Sequence, residues 1–176
     1  QLQAIETGDV RGLTSTQIAA LTSEQVGFLT THQLTQLSSG QIRAIETADI
    51  AGLTTSQVLV LTTTQVMGLT TGQVAALTSA QVGQLSTSVF AQLSSAQLQA
   101  IETVDIAGIS TSQIAALTSA QVGRLLSSQL SVLTSGQLQA IETGDVRGLT
   151  STQIAALTSE QVGFLTTHQL TQLSSG

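Results

Sequence analysis

The sequence contains no proline, cysteine, tryptophan, tyrosine, lysine or asparagine. Each absence excludes something. Without cysteine there is no disulfide framework, no thiolate metal site and no thiol chemistry. Four arginines and no lysine cannot neutralise a run of phosphates, so nucleic acid is a poor partner. Aromatics make up 2% of the chain, too few for a base-stacking platform. No apolar run approaches the length that crosses a bilayer, so membrane insertion is not expected. The N-terminus has no signal-peptide pattern. Charged residues are only 8% and hydrophobic residues 41%, the reverse of a disordered composition.

What is present is a repeat. There are 49 Ser plus Thr and 24 Gln in 176 residues, and 176 is 22 octapeptides. From Leu13 the chain reads LTSTQIAA, LTSEQVGF, LTTHQLTQ, LSSGQIRA. Position 1 is Leu or Ile in all 22 octads, from Ile5 to Leu173, and position 6 is apolar from Leu2 to Leu170. Position 2 is Ser or Thr in 17; position 5 is Gln in 17 and Asp in four. The four Asp octads read IETxD(V/I)xG and begin at Ile5, Ile45, Ile101 and Ile141, five, seven and five octads apart. Residues 1–40 are identical to residues 137–176, a period of 136 or 17 octads. The chain is therefore expected to be one array, residues 1–176, cut mid-octad from a longer one. The identity of the two segments points to recent duplication or homogenisation.

A continuous helix does not suit this repeat. Eight residues advance about 800°, so the Leu stripe would drift roughly 80° per octad and give no fixed seam. In a straight strand, positions 1 and 6 would face opposite sides. A β-solenoid that bends between them is the alternative fold. T-x-x-Q, however, is a capping box, and an apolar residue on each side makes a hydrophobic staple. In residues 13–18, Leu13 is N′, Thr14 N-cap, Gln17 N3 and Ile18 N4. The reading is an all-α solenoid with one short capped helix per octad. Helices this short are unstable alone, so stability must come from stacking rows of Leu and Val. Glycines at positions 7 and 8 (Gly27, Gly52, Gly68, Gly83, Gly108, Gly123) are expected to ease the exit turn. All four Arg lie at positions 7 or 8 and all ten acids at positions 2, 4 or 5, which complements the helix dipole. Glu6, Glu46, Glu102 and Glu142 occupy the cap slot, where Glu is disfavoured. Thr7, Thr47, Thr103 and Thr143 could cap one residue later. Two further octads depart from the rule: residues 85–92 carry Val89 for Gln, and Leu126 replaces a cap.

The rows LTSAQVGQ, LTTGQVAA and IETADIAGLTT resemble the LTTxQVxA arrays of very large proteobacterial surface or secreted proteins. Those proteins are labelled RTX-like adhesins or haem-utilisation proteins. The resemblance covers the whole chain. It implies an exported extracellular array and no particular chemistry. The Gly- and Asp-rich calcium nonapeptide of RTX proteins is absent.

Candidate sites are few. The pairs Glu6/Asp9, Glu46/Asp49, Glu102/Asp105 and Glu142/Asp145 could hold calcium if neighbouring octads added oxygens. The plainer reading is N-terminal capping by both carboxylates. His32 and His168 are two copies of one repeat position, and a zinc or haem site needs converging ligands. No Ser has a His and Asp partner set, so no catalytic or cofactor-binding residue is assigned. The Ser/Thr rows could bind ice or a glycan, unless capping consumes their hydroxyls. Phe28, Phe90, Phe164 and Met67 read as core or contact residues. The expectation is a non-enzymatic extracellular stalk, spacer or filament body that takes no cofactor. Its partner would be itself, end to end or laterally; the alternative is an adhesin surface for glycan or ice.

Overall fold

In a computed structural model, which describes residue 6 and residues 8–173, the octads become short helices with no strand among the described residues. The all-α reading holds, and the β-solenoid is excluded. A representative octad starts at Thr14, in extended backbone. Its Oγ1 accepts from the Gln17 N–H at 3.2 Å, and Gln17 Oε1 accepts from the Thr14 N–H at 2.8 Å. The helix Ser15–Ala19 follows. The same reciprocal pair opens most later helices, among them Ser23–Phe28, Thr71–Ala75 and Ser135–Ala140. Each such cap contributes about 1 kcal/mol. The next position-1 residue ends the helix. Leu29, for example, turns to φ −59°, ψ 136° while its N–H still reaches Val26 O. The repeat thus alternates one helical stretch with one extended hinge.

Positions 1 and 6 point into a single continuous core, save Val162 and Leu170 in the last octads, which are 40% and 41% exposed. Ile18, Leu29, Val58, Leu61, Ile114 and Leu117 are typical members, all nearly or wholly inaccessible. Residue 90, where Phe stands at position 6, is also fully buried.

The coil period follows from the contacts. Helices touch partners three octads away, as Thr71–Ala75 touches Ser95–Ala100 and Thr111–Ala115 touches Ser135–Ala140. Position-5 glutamines bond to residues 31 and 28 earlier, which lie four and three octads back. An octad therefore sits over the junction of two octads below it. One superhelical turn takes three and a half octads, about 28 residues, and the described chain makes about six turns.

Two sequence expectations need correction here. No glycine among the described residues has a positive φ, so position-7 and position-8 glycines are not left-handed helix caps. Nor do Phe28 and Met67 enter the core; they are 50% and 60% exposed. Position-8 residues such as Val60 and Phe164 are partly buried against the core, and Phe28 and Met67 depart from them in facing outward.

Candidate functional site

The structure gathers its distinctive chemistry between coils, in two kinds of contact. The first is a glutamine ladder. The amide of Gln113 faces two ways. Its Oε1 accepts from the Ser110 N–H at 2.7 Å, closing the capping box. Its Nε2 donates to Val82 O at 3.0 Å and Leu85 O at 2.8 Å in the coil below. Gln57, Gln65, Gln97, Gln137 and Gln153 repeat the pattern. Gln113 is 1% exposed. Gln17 and Gln25 make the same capping box but bond to no lower coil, and they are exposed. Stacking, not the octad itself, buries the ladder.

Sequence reasoning assigned Gln only half of this role. The missed signal is the choice of amide over acid. A capping box accepts Glu or Gln equally, yet position 5 is Gln 17 times and never Glu. A buried site that must donate to carbonyls requires the amide.

The second contact belongs to the acidic octads. These fold as 3₁₀ helices, Thr47–Gly52 and Thr103–Gly108 in the complete cases and Asp9–Gly12 and Asp145–Gly148 in shorter ones. Glu46 and Glu102 stand at the cap but make no side-chain cap bond. Thr47 and Thr103 are first helical residues rather than caps; Thr143 lies in a turn, and Thr7 lies outside the described residues. Capping by both carboxylates is therefore not what these pairs do. Two of the aspartates turn sideways to the coil below. Asp145 Oδ1 accepts from Ser119 Oγ at 2.6 Å. Asp105 takes a hydrogen bond from the backbone of Ser79, and partial burial and nearby Glu102 outweigh it, raising its carboxyl above the usual carboxylate range.

Glycine makes this contact closer than the others. A methyl group on Gly52, Gly108 or Gly148 would collide with the carbonyl oxygen of Ser23, Ser79 or Ser119. From the lower coil, a methyl on Gly83 would lie 2.5 Å from Gly108 O, and one on Gly27 2.8 Å from Gly52 O. Two backbones touch here with no side chain between them. The tighter radius of the 3₁₀ helix suits such an approach.

Glu6, Glu46, Glu102 and Glu142 are exposed, as is Asp9, while Asp49, Asp105 and Asp145 are partly covered by the coil below. Among the described residues no third His, Asp, Glu or Cys joins any pair. His32 and His168 are exposed. No helix of the described residues is long and apolar enough to cross a membrane. Outward-facing arginines bridge coils: Arg11 donates to Gln36 Oε1, and Arg147 to Gln172 Oε1, each 25 residues on.

Comparison with known proteins agrees with the repeat. No curated protein matches the chain. The sequence model of the ALTTAQ repeat matches residues 2–39, 42–79, 60–87, 98–135 and 138–175. Its T-T-x-Q core is the capping box whose bonds recur along the solenoid. The chain belongs to the ALTTAQ repeat family.

Proposed function

We propose that the chain is a load-bearing structural element, a stalk, spacer or filament body, with no catalytic role. One observation carries this reading: the bonds between coils do not depend on position along the array. Gln57 and Gln169 make the same pair of contacts, to residues 31 and 28 earlier. Each added Gln octad therefore brings its own cap, its own two core residues and its own coil-to-coil bond. Such a solenoid lengthens without redesign, because stability is a sum of local and nearest-neighbour terms. The resemblance to arrays of giant proteobacterial surface proteins supports an extracellular or cell-surface location. The near-identical rows also suit self-association, end to end or side by side.

Electron microscopy of chains extended by one and two 136-residue periods tests this. Rods whose length grows in proportion to octad number are expected. Compact particles of unchanged length would overturn the proposal.

A second reading, an adhesin surface for glycan or ice, is favoured by the position-3 hydroxyls. Position 2 is consumed in capping, whereas Thr31, Thr55, Thr71 and Thr111 leave their residues exposed. A glycan array and an ice-recrystallisation assay decide it. Specific binding lost on replacing these threonines with Ala would support it, and no binding in either assay would end it.

A further inference from the structure

A chain of near-identical octads has a register problem. Leu, Val and Gln rows can stack equally well if one coil slips by an octad on the next. Some feature must make one register better than its neighbours, as strands with a weakly specified register show by slipping.

We infer that the acidic octads are register keys. The three with octads beneath them are each seated on one particular kind of octad three places earlier. Residues 45–52 sit on 21–28, 101–108 on 77–84, and 141–148 on 117–124. Every one of these seats reads LTS(E/A)QVG, with Ser at position 3 and Gly at position 7. Gly at position 7 occurs in those three octads and in residues 157–164 alone. Each half of the contact fits the other. The key presents a position-8 Gly, whose missing side chain admits the seat's Ser carbonyl, and in residues 101–108 and 141–148 an Asp that takes the seat's Ser. The seat presents its own Gly to the key's position-8 carbonyl. One octad out of register, the key would meet Thr35, Ala75 or another side chain where it now meets glycine.

A second match lies four octads back. The Asp has no N–H to give to the coil below, where a Gln would donate. The octads under Asp49, Asp105 and Asp145, residues 13–20, 69–76 and 109–116, each end in Ala-Ala. Outside the 136-residue copy at 149–156, no other octad does. Their helices are the short Ser15–Ala19, Thr71–Ala75 and Thr111–Ala115, each closed by an Ala in helical backbone. Key, seat and Ala-Ala octad thus form one code. It holds across spacings of both five and seven octads between keys, which separates it from the plain octad rhythm.

Permutation at constant composition tests this. In variant A, residues 141–148 are exchanged with residues 149–156, moving one key off its seat. In variant B, residues 125–132 are also transferred in front of residues 109–124, which moves the seat and the Ala-Ala octad by the same step. Variant A is expected to melt about 5–10 °C below the parent, on the usual scaling for a chain of this size, and variant B to regain at least half of that. A variant A that melts like the parent, or a variant B no better than A, overturns the key. Gly123→Ala supplies an independent readout. In the parent it sets a methyl against Gly148 O and lowers the melting point; in variant A, with no key above it, it costs little. Equal losses in both backgrounds would also overturn the inference.

Discussion

Two kinds of octad share one backbone plan and solve opposite problems. The Gln octads, such as residues 109–116, cap themselves and bond to any coil below, because every coil offers the same carbonyls. They supply cohesion without choice. The acidic octads, such as residues 101–108, give up the capping box, fold as a 3₁₀ helix and touch the coil below through bare backbone. They supply choice at a local cost, seen in the uncapped Glu102 and the raised pKa of Asp105. The contrast teaches that a uniform array still needs rare, non-uniform elements to be a single structure.

The largest effects should separate these two roles at the ladder. Gln113→Glu keeps the oxygen that accepts from Ser110 but turns a carboxylate toward Val82 O and Leu85 O, where an amide donated. An unpaired buried charge costs about 3–5 kcal/mol. Gln17→Glu retains a complete, exposed box and should be close to neutral. Chemical denaturation of both variants checks this. Equal losses would mean that the box, not the coil-to-coil bond, is what Gln supplies.

Next come the glycines. Gly108→Ala forces a methyl against the Ser79 carbonyl, and neither backbone can yield alone. Overpacking of this kind costs about 1–3 kcal/mol and occasionally more. Gly136 is also within a helix, but the nearest atom to its added methyl is Thr111 Cγ2 at 3.7 Å. Gly136→Ala should therefore stabilise by about 0.5–1 kcal/mol. Opposite signs in thermal melts are the expected result.

Much of this was legible in the residues. The T-x-x-Q spacing alone gives the cap, the helix start and the inward-facing pair, because all three are local. The coil period was not legible, since it depends on how an octad hinge bends, and each hinge has nearly the same Leu. Gln113 illustrates the boundary: its oxygen has a partner three residues away, its nitrogen one 31 residues away. The glycines show the same boundary. Gly52 and Gly108 look like turn residues in sequence, yet what they avoid is a carbonyl 29 residues upstream.

Capping should show a smaller difference. Thr118 accepts from the Gln121 N–H at 3.3 Å, so Thr118→Ala should lose about 1 kcal/mol. Glu102 makes no cap bond, and Glu102→Ala should be nearly neutral in the same melts. A large loss at Glu102 would restore the carboxylate cap that the structure lacks.

The smallest effect concerns ionisation within a key. Partial burial raises the Asp105 carboxyl above its usual value, against the hydrogen bond from Ser79. The folded state thus holds that proton more tightly than the unfolded chain does. Its contribution to stability is then fullest below the unfolded carboxylate value and is lost as pH rises through the folded one. At neutral pH the ionised Asp105 weighs slightly against its own key. Asp105→Asn keeps an oxygen for the Ser79 backbone and removes the charge, so it should melt a little higher than the parent at pH 7. That advantage should shrink as pH falls through the carboxylate range, because the parent's Asp105 becomes neutral too. An advantage independent of pH would point to packing. A loss at pH 7 would mean that the key needs its negative charge, with the bond from Ser79 outweighing the burial that opposes it.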